Sequence, residues 1–217
     1  MPKKVTPGGM SDIKLSYLQK YITGETLLDV GTGYGQYSSW LKNQKPNLEI
    51  TAIDIAPLGK KNDAVNFMLH DLEKKLVFQD NTFTSIIAFD IIEYITNEGQ
   101  LIQELYRVCK PSGVLIGSVP HDDDSFLPEY NLTFYHRSDV THKRYYTPDT
   151  LKKALEAKGF TVLTIELQGG INPQVIAEFF PACLQFFVKK CVGLLRRIRL
   201  INEKKLYSDI FFIAKKS

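Results

Sequence analysis

Cysteine is scarce and unpatterned in this chain. The 217 residues hold three, Cys109, Cys183 and Cys191, with no C-x-x-C pair among them. That excludes a thiolate zinc site and a disulfide framework, and an odd number of thiols predicts a reducing, cytoplasmic setting. No run of 18 apolar residues occurs, so no segment reads as a membrane-spanning helix. The opening M-P-K-K-V-T-P-G-G-M has no apolar stretch of the kind a secretory leader needs. Internal repeats and long low-complexity tracts are absent. Charge of one sign is nearly balanced by the other: 27 Lys+Arg face 24 Asp+Glu, a net +3 with a pI near 8.6. That is too mild to imply a nucleic-acid partner by itself. What is present is a 44% apolar fraction, ample for a sizeable core. A length of 217 residues suits one α/β domain, residues 1–217, with an elaboration.

The patterning alternates strands with helices. Ser11 and Asp12 cap a short helix running to Tyr21. Thr26–Val30 reads as an apolar strand, followed by a glycine turn and a helix over 36–43. Further strands are expected over 48–53, 65–69 and 84–89. From Glu98 to Cys109 the apolar residues Leu101, Ile102, Leu105 and Val108 fall at three- and four-residue spacing, which is helical. The turn Lys110-Pro111-Ser112-Gly113 feeds a strand over 114–119. Thr147-Pro148-Asp149 opens a helix with proline in its first turn, and Lys158-Gly159 closes it. Strands over 160–167 and 209–215 complete the pattern. Such alternation argues for a Rossmann-like α/β fold, a doubly wound and mostly parallel sheet with helices on both faces. Ligands of these sheets sit outside the carboxyl ends of the strands. Five segments fall at those ends: 29–35, Asp54, His70-Asp71, Phe89-Asp90 and 120–124.

The stretch E-T-L-L-D-V-G-T-G-Y-G-Q puts glycines at 31, 33 and 35 immediately after a strand. Bare backbone there lets a ligand approach closely, although a plain tight turn would also use it. A dinucleotide fingerprint needs a third glycine at position 36, which is Gln36, and a phosphate-binding loop needs Gly-Lys-Ser/Thr, which is absent. Asp29 beside the glycines would repel a pyrophosphate and suits an ammonium group. Asp54 can accept two hydrogen bonds from a ribose diol, and Asp71 can accept one from an exocyclic amine. A ribose, an amine-bearing base and a cationic tail occur together in S-adenosylmethionine.

At this point the sequence resembles the class I S-adenosylmethionine-dependent methyltransferases, particularly their small-molecule branch, over 15–166 and the last strand. L-L-D-V-G-T-G-Y-G is similar to their first motif, and Asp54-Ile55 in A-I-D-I-A stands where the ribose acid is expected. Asp71-Leu72 matches the adenine side, and Cys109–Pro120 resembles the helix–turn–fifth-strand segment. The resemblance implies seven strands with the last antiparallel. It also implies cofactor contacts from Asp29, Gly31, Gly33, Gly35, Asp54, Ile55, Asp71, Leu72, Phe89 and Asp90. Two positions depart from the family pattern: Thr84 replaces an acid, and Tyr94 stands where histidine is common.

Methyl transfer from a sulfonium is an in-line displacement that depends on alignment, and a protic acceptor can also need a base. His121 after the fifth expected strand and His142 before the last crossover helix are the candidates, with His136, Asp122 and Tyr145 beside them. Each also reads as an ordinary surface or structural residue. His121-Asp122-Asp123-Asp124 reads as a solvated acidic loop rather than a metal site. The segment 122–146 is rich in aromatics and suits an acceptor pocket or lid.

A helical insertion, 170–206, separates the last two strands. In it Leu184, Phe187, Val188, Cys191, Leu194, Leu195 and Ile198 share one helical face, and Gln185, Lys189, Lys190, Gly193, Arg196 and Arg197 share the other. Over 171–207, Lys189, Lys190, Arg196, Arg197, Arg199, Lys204 and Lys205 outnumber Glu178 and Glu203 by five, so the rest of the chain carries a net −2. The helix is expected to cap the acceptor pocket or form a dimer face. The alternative is peripheral contact with an anionic membrane through 182–200, or with a lipid-linked acceptor. The short stripe argues against nucleic acid. The sequence therefore predicts an enzyme that binds S-adenosylmethionine and methylates a small-molecule or lipid-linked acceptor. Its main rival is a non-catalytic module that kept the same fold.

Overall fold

Seven strands pair edge to edge: β1 (Thr26–Val30), β2 (Glu49–Asp54), β3 (Asn66–Leu69), β4 (Phe83–Phe89), β5 (Cys109–Pro120), β6 (Phe160–Gln168) and β7 (Asp209–Lys216). The structure is a computed structural model, and it describes residues 10–57, 64–122, 139–168, 177, 180–198 and 207–217. The sheet order is β3-β2-β1-β4-β5-β7-β6. The pairs β3/β2, β2/β1, β1/β4 and β4/β5 are parallel. Strand β7 runs antiparallel to both its neighbours, β5 and β6. The expected seven-stranded, mostly parallel sheet with an antiparallel last strand is therefore present.

Residue alternation along the strands builds two apolar layers, one on each face. On one face lie Leu28 and Val30 of β1, Ile86 and Ala88 of β4, and Ile210 and Phe212 of β7. They pack against helices α3 (Glu98–Val108) and α4 (Pro148–Glu156) through Leu101, Leu105, Leu151 and Leu155. On the other face Leu27, Ile87, Phe89, Ile116 and Phe211 meet Leu18 of α1 (Asp12–Tyr21) and Leu41 of α2 (Gln36–Gln44).

The caps follow the sequence. Ser11 accepts from the Lys14 amide at the start of α1. Thr147 and Thr150 form a capping box with Pro148 in the first turn of α4. The fifth strand differs from expectation. It begins at Cys109 rather than at 114, because the Lys110–Gly113 turn is absorbed as a bulge. Cys109 pairs with Phe83 and Val114 with Ser85, with the register shifted between them. Ser112 takes a left-handed φ of 63° to allow it. A last helix, α5 (Ala182–Arg197), lies between β6 and β7 in the chain.

Candidate active site

The strand order reverses direction between β1 and β4, and the carboxyl ends at such a switch point are where doubly wound sheets bind ligands. The glycine loop runs from β1 into α2 at this point. The Gly31 and Thr32 amides donate to the Ile53 carbonyl at 2.9 and 3.2 Å, which ties the loop to β2. Gly31 has φ +68°, and a Cβ there would stand 2.5 Å from Ile91 Cγ1, so packing and backbone both demand glycine. Gly33 has φ +55°, yet a Cβ there would meet nothing within 4 Å. Protein packing does not explain that bare position, and the open space beside it is where a ligand could lie against the backbone. Gly35, at φ +67°, is the N-cap of α2.

Asp54 ends β2 and faces the loop. Its Oδ2 accepts from the Gly33 amide at 2.8 Å and its Oδ1 from the Ala56 amide at 3.0 Å. A carboxylate offers about four lone-pair sites, so acceptor capacity remains for a diol. Ile55 beside it is exposed. The β2–β3 ladder continues one step as the His70 amide donates to the Asp54 carbonyl at 2.8 Å. That step carries Asp71 to the same edge, where its Oδ1 accepts from the Glu73 amide, with Leu72 buried beneath.

Asp29 is 5% exposed, and its Oδ2 accepts from the Thr32 hydroxyl at 2.7 Å and from the Ser38 hydroxyl. Burial pushes its carboxyl up to about 6, and the neighbouring Asp54 charge adds to this, while the two hydroxyl donors oppose it. These two bonds brace the loop from within, a role the spacing of Asp29 from the glycines does not reveal.

At the end of β4, Phe89 is buried and Asp90 takes a left-handed φ of 51°. Ser118 donates to Asp90 Oδ1, and Lys14 forms an ion pair with Oδ2. The Lys14 ammonium also stands 4.9 Å from the centroid of the Phe89 ring. A 3-10 turn, Ile92–Tyr94, follows. In it Glu93 is buried, and its Oε2 has no hydrogen-bond partner among the described residues. Burial pushes this carboxyl up to about 8, and the Asp90 and Asp209 charges add to the rise.

Both candidate histidines stand beside this edge. His121 directly follows β5 and is buried, with Nδ1 3.2 Å from the Tyr207 carbonyl. Its backbone bridges to Tyr146, and its amide donates to the Ser208 carbonyl at 2.8 Å. His142 packs edge-on against Tyr94, with ring centroids 4.6 Å apart. Its Nε2 is 3.6 Å from Asp139 Oδ2, the same oxygen that accepts from the Tyr94 hydroxyl at 3.0 Å. The Lys143 amide donates to the Glu93 carbonyl at 2.8 Å, which pins this segment to the 3-10 turn. His136, Asp123 and Asp124, with most of the aromatic segment, lie outside the described residues.

Sequence reasoning missed Lys14 and Glu93. The available signals were slight: a lysine one turn before Leu18 on the buried side of α1, and a lone acid inside the apolar run I-I-E-Y-I.

A seven-stranded sheet of this order, with a glycine loop after β1 and acids at successive strand ends, defines a Rossmann-like α/β protein. Residues 6–165 match the model of a methyltransferase domain, and the chain belongs to that family of S-adenosylmethionine-dependent enzymes. It is 25% identical over 201 residues to malonyl-[acyl-carrier protein] O-methyltransferase 2 of Ilyobacter polytropus, a match covering 85% of this chain and 71% of that protein. It is 27% identical over 164 residues to demethylmenaquinone methyltransferase of Thermus thermophilus, covering 63% and 74%. Matches to two other malonyl-[acyl-carrier protein] O-methyltransferases span only 38% of each. In fold it is similar to an S-adenosylmethionine-dependent methyltransferase from Mesorhizobium loti, with a TM-score of 0.66 at 15% identity over 94% of this chain and 96% of that one.

Proposed function

We propose that this enzyme methylates a small-molecule or lipid-linked acceptor, and that the edge formed by Gly33, Asp54, Asp71 and Asp90 is where it holds S-adenosylmethionine. The observation that carries this is the open backbone at Gly33, clamped by Asp54 at 2.8 Å. The acceptor set suits the cofactor, since carboxylates at successive strand ends match a ribose diol and an amine. When bound, S-adenosylmethionine supplies a methyl group already activated on sulfur.

In this reading Asp54 accepts from the ribose hydroxyls and Asp71 from the adenine side, with Ile55 and Leu72 as apolar walls. Asp29 and Gly35 hold the loop, while Gly31 and Gly33 give it room. Phe89 and Asp90 line the methionine end. Lys14 holds Asp90 in place from above.

His121 takes the acceptor's proton. Its Nδ1 faces a carbonyl oxygen, so the neutral ring carries its proton there and leaves Nε2 as the basic nitrogen. His142, braced by Asp139 and Tyr94, shapes the acceptor side. The chain is one methyltransferase domain, with 170–206 inserted before its last strand. The relatives include malonyl-[acyl-carrier protein] O-methyltransferases, a demethylmenaquinone methyltransferase and a ubiquinone biosynthesis O-methyltransferase, which supports an acceptor carried on a larger or lipidic tail.

Calorimetric titration tests the reading. Micromolar binding of S-adenosylmethionine and S-adenosylhomocysteine, with none of NADH, is expected, and Asp54→Ala should abolish the first two. Binding unchanged by Asp54→Ala would overturn the assigned site. Turnover of a quinone-type or carrier-linked acceptor that survives His121→Asn undiminished would remove the histidine from its role.

A further inference from the structure

Helix α5 does not sit as an amphipathic cover usually sits. Among its described side chains Val192 is buried, with Gln185, Val188, Lys189 and Cys191 half-buried around it. Most of the apolar stripe lies outward. Leu184, Phe187, Leu194, Leu195 and Ile198 are all exposed, Phe187 by 66% and Leu194 by 57%. Phe186, on the adjoining arc, is 69% exposed, with the Lys190 ammonium 4.7 Å from its ring centroid. Lys190 and Arg197 are exposed along the same border. A helix capping the acceptor pocket, which the sequence pattern favours alongside a dimer face, would bury this stripe. The helix instead turns a shoulder inward and presents apolar and cationic side chains to solvent together.

We infer that α5 docks this protein onto an anionic lipid bilayer, lying in the interface with Phe187, Leu194 and Ile198 inserted. Charge selects that occupant. The segment 171–207 carries a surplus of five positive charges while the rest of the chain is net negative, so attraction to an anionic surface is confined to this helix and its flanks. Aromatic and aliphatic side chains bordered by Lys and Arg match the boundary between acyl chains and headgroups.

Topology says what the docking accomplishes. The chain leaves β6 at Gln168 and re-enters β7 at Asp209, and both pair at the carboxyl end of the sheet, where Pro120 of β5 also pairs with Asp209. Tyr207 and Ser208, the residues returning from the insertion, bond to His121. A membrane held by α5 therefore lies at the same end of the molecule as the acceptor side. This deepens the lipid-linked reading and depends on it only for its purpose.

Vesicle co-sedimentation of the full chain, without cofactor or acceptor, tests it apart from catalysis. The protein should pellet with phosphatidylcholine vesicles containing phosphatidylglycerol and remain in solution with pure phosphatidylcholine. Lys190→Gln with Arg197→Gln should weaken binding about 25-fold, roughly fivefold for each charge, and 0.5 M salt should act in the same direction. Phe187→Ser with Leu194→Ser should abolish it while thermal melting and S-adenosylmethionine affinity stay at wild-type values. Failure of the wild-type chain to bind anionic vesicles would overturn the proposal. So would a concentration-dependent dimer, lost in the Phe187→Ser/Leu194→Ser variant, with no vesicle binding.

Discussion

Two glycines two residues apart are there for opposite reasons. At Gly31 an added Cβ strikes Ile91, whereas at Gly33 it strikes nothing. Gly31→Ala should therefore cost about 2 kcal/mol or more in denaturant unfolding, from steric overlap plus a left-handed φ. Gly33→Ala should cost about 1 kcal/mol, the backbone term alone, yet lower S-adenosylmethionine affinity at least tenfold by titration. Equal effects on stability would refute the distinction. The buried Glu93 makes a second prediction. Its carboxyl binds a proton up to about pH 8 in the folded chain against an ordinary value of 4.5, so the native state holds more protons than the unfolded one between those limits. Through this group stability should fall as pH rises from about 5 toward 8, by about 1.4 kcal/mol per pH unit at most, with buried Asp29 adding to the fall below about pH 6. Glu93→Gln should flatten that slope in melts at pH 5, 6.5 and 8. At this scale the glycines and the strand-end acids were legible, because spacing and turn chemistry are local. Lys14 and Glu93 were not, because a buried charge is set by what the tertiary fold lays over it.

Among the elements, α3 shows how a loop is fastened. Arg107 donates to Glu104 at 2.6 Å, to Asp80 at 2.7 Å and to the carbonyls of Leu76 and Phe78. Glu104 in turn accepts from the Leu76 amide at 2.9 Å. Replacing Arg107 by Met would leave the largely buried Glu104 without its cation. A loss of about 3 kcal/mol is expected in urea unfolding, with a smaller loss for the paired Arg107→Met/Glu104→Gln variant. Helices and strands were readable to within a residue or two wherever period and caps agreed, as in α4. The start of β5 was not, since Pro111 and Gly113 spell a turn and only pairing with β4 turns it into a bulge. Nor was the orientation of α5, because a hydrophobic stripe shows that a helix has two faces and not which one the sheet receives.

For the molecule as a whole, the cofactor and the fold should report on each other. A ligand that binds only the native state at a hundred times its dissociation constant adds about 2.7 kcal/mol, which for a chain of this size raises the melting temperature by roughly 5 to 10 °C. S-adenosylmethionine and S-adenosylhomocysteine should do this and NADH should not, as read by scanning fluorimetry. An equal shift with NADH would point to a different nucleotide. Overall architecture was the most legible level, since alternating patterns and short connections leave few topologies to choose from. The antiparallel β7 was the exception, expected only through resemblance, because no periodicity distinguishes a strand that enters between two others.

That insertion of β7 has a consequence for how the protein is made. In the sheet β6 borders β7 alone, so during synthesis β6 emerges with no strand to join. It must wait for some forty further residues to be translated. Lys216 then closes the assembly, its ammonium reaching Asn81 and the carbonyls of Tyr106 and Cys109 at 2.8 to 2.9 Å. The half of the sheet that carries the proposed cofactor edge can form before β7 is made, while the half beside the proposed acceptor side cannot. A nascent chain stalled before Asp209 would offer β5 and β6 as open edges to chaperones, with the basic helix that follows β6 already made and the sheet beside it incomplete.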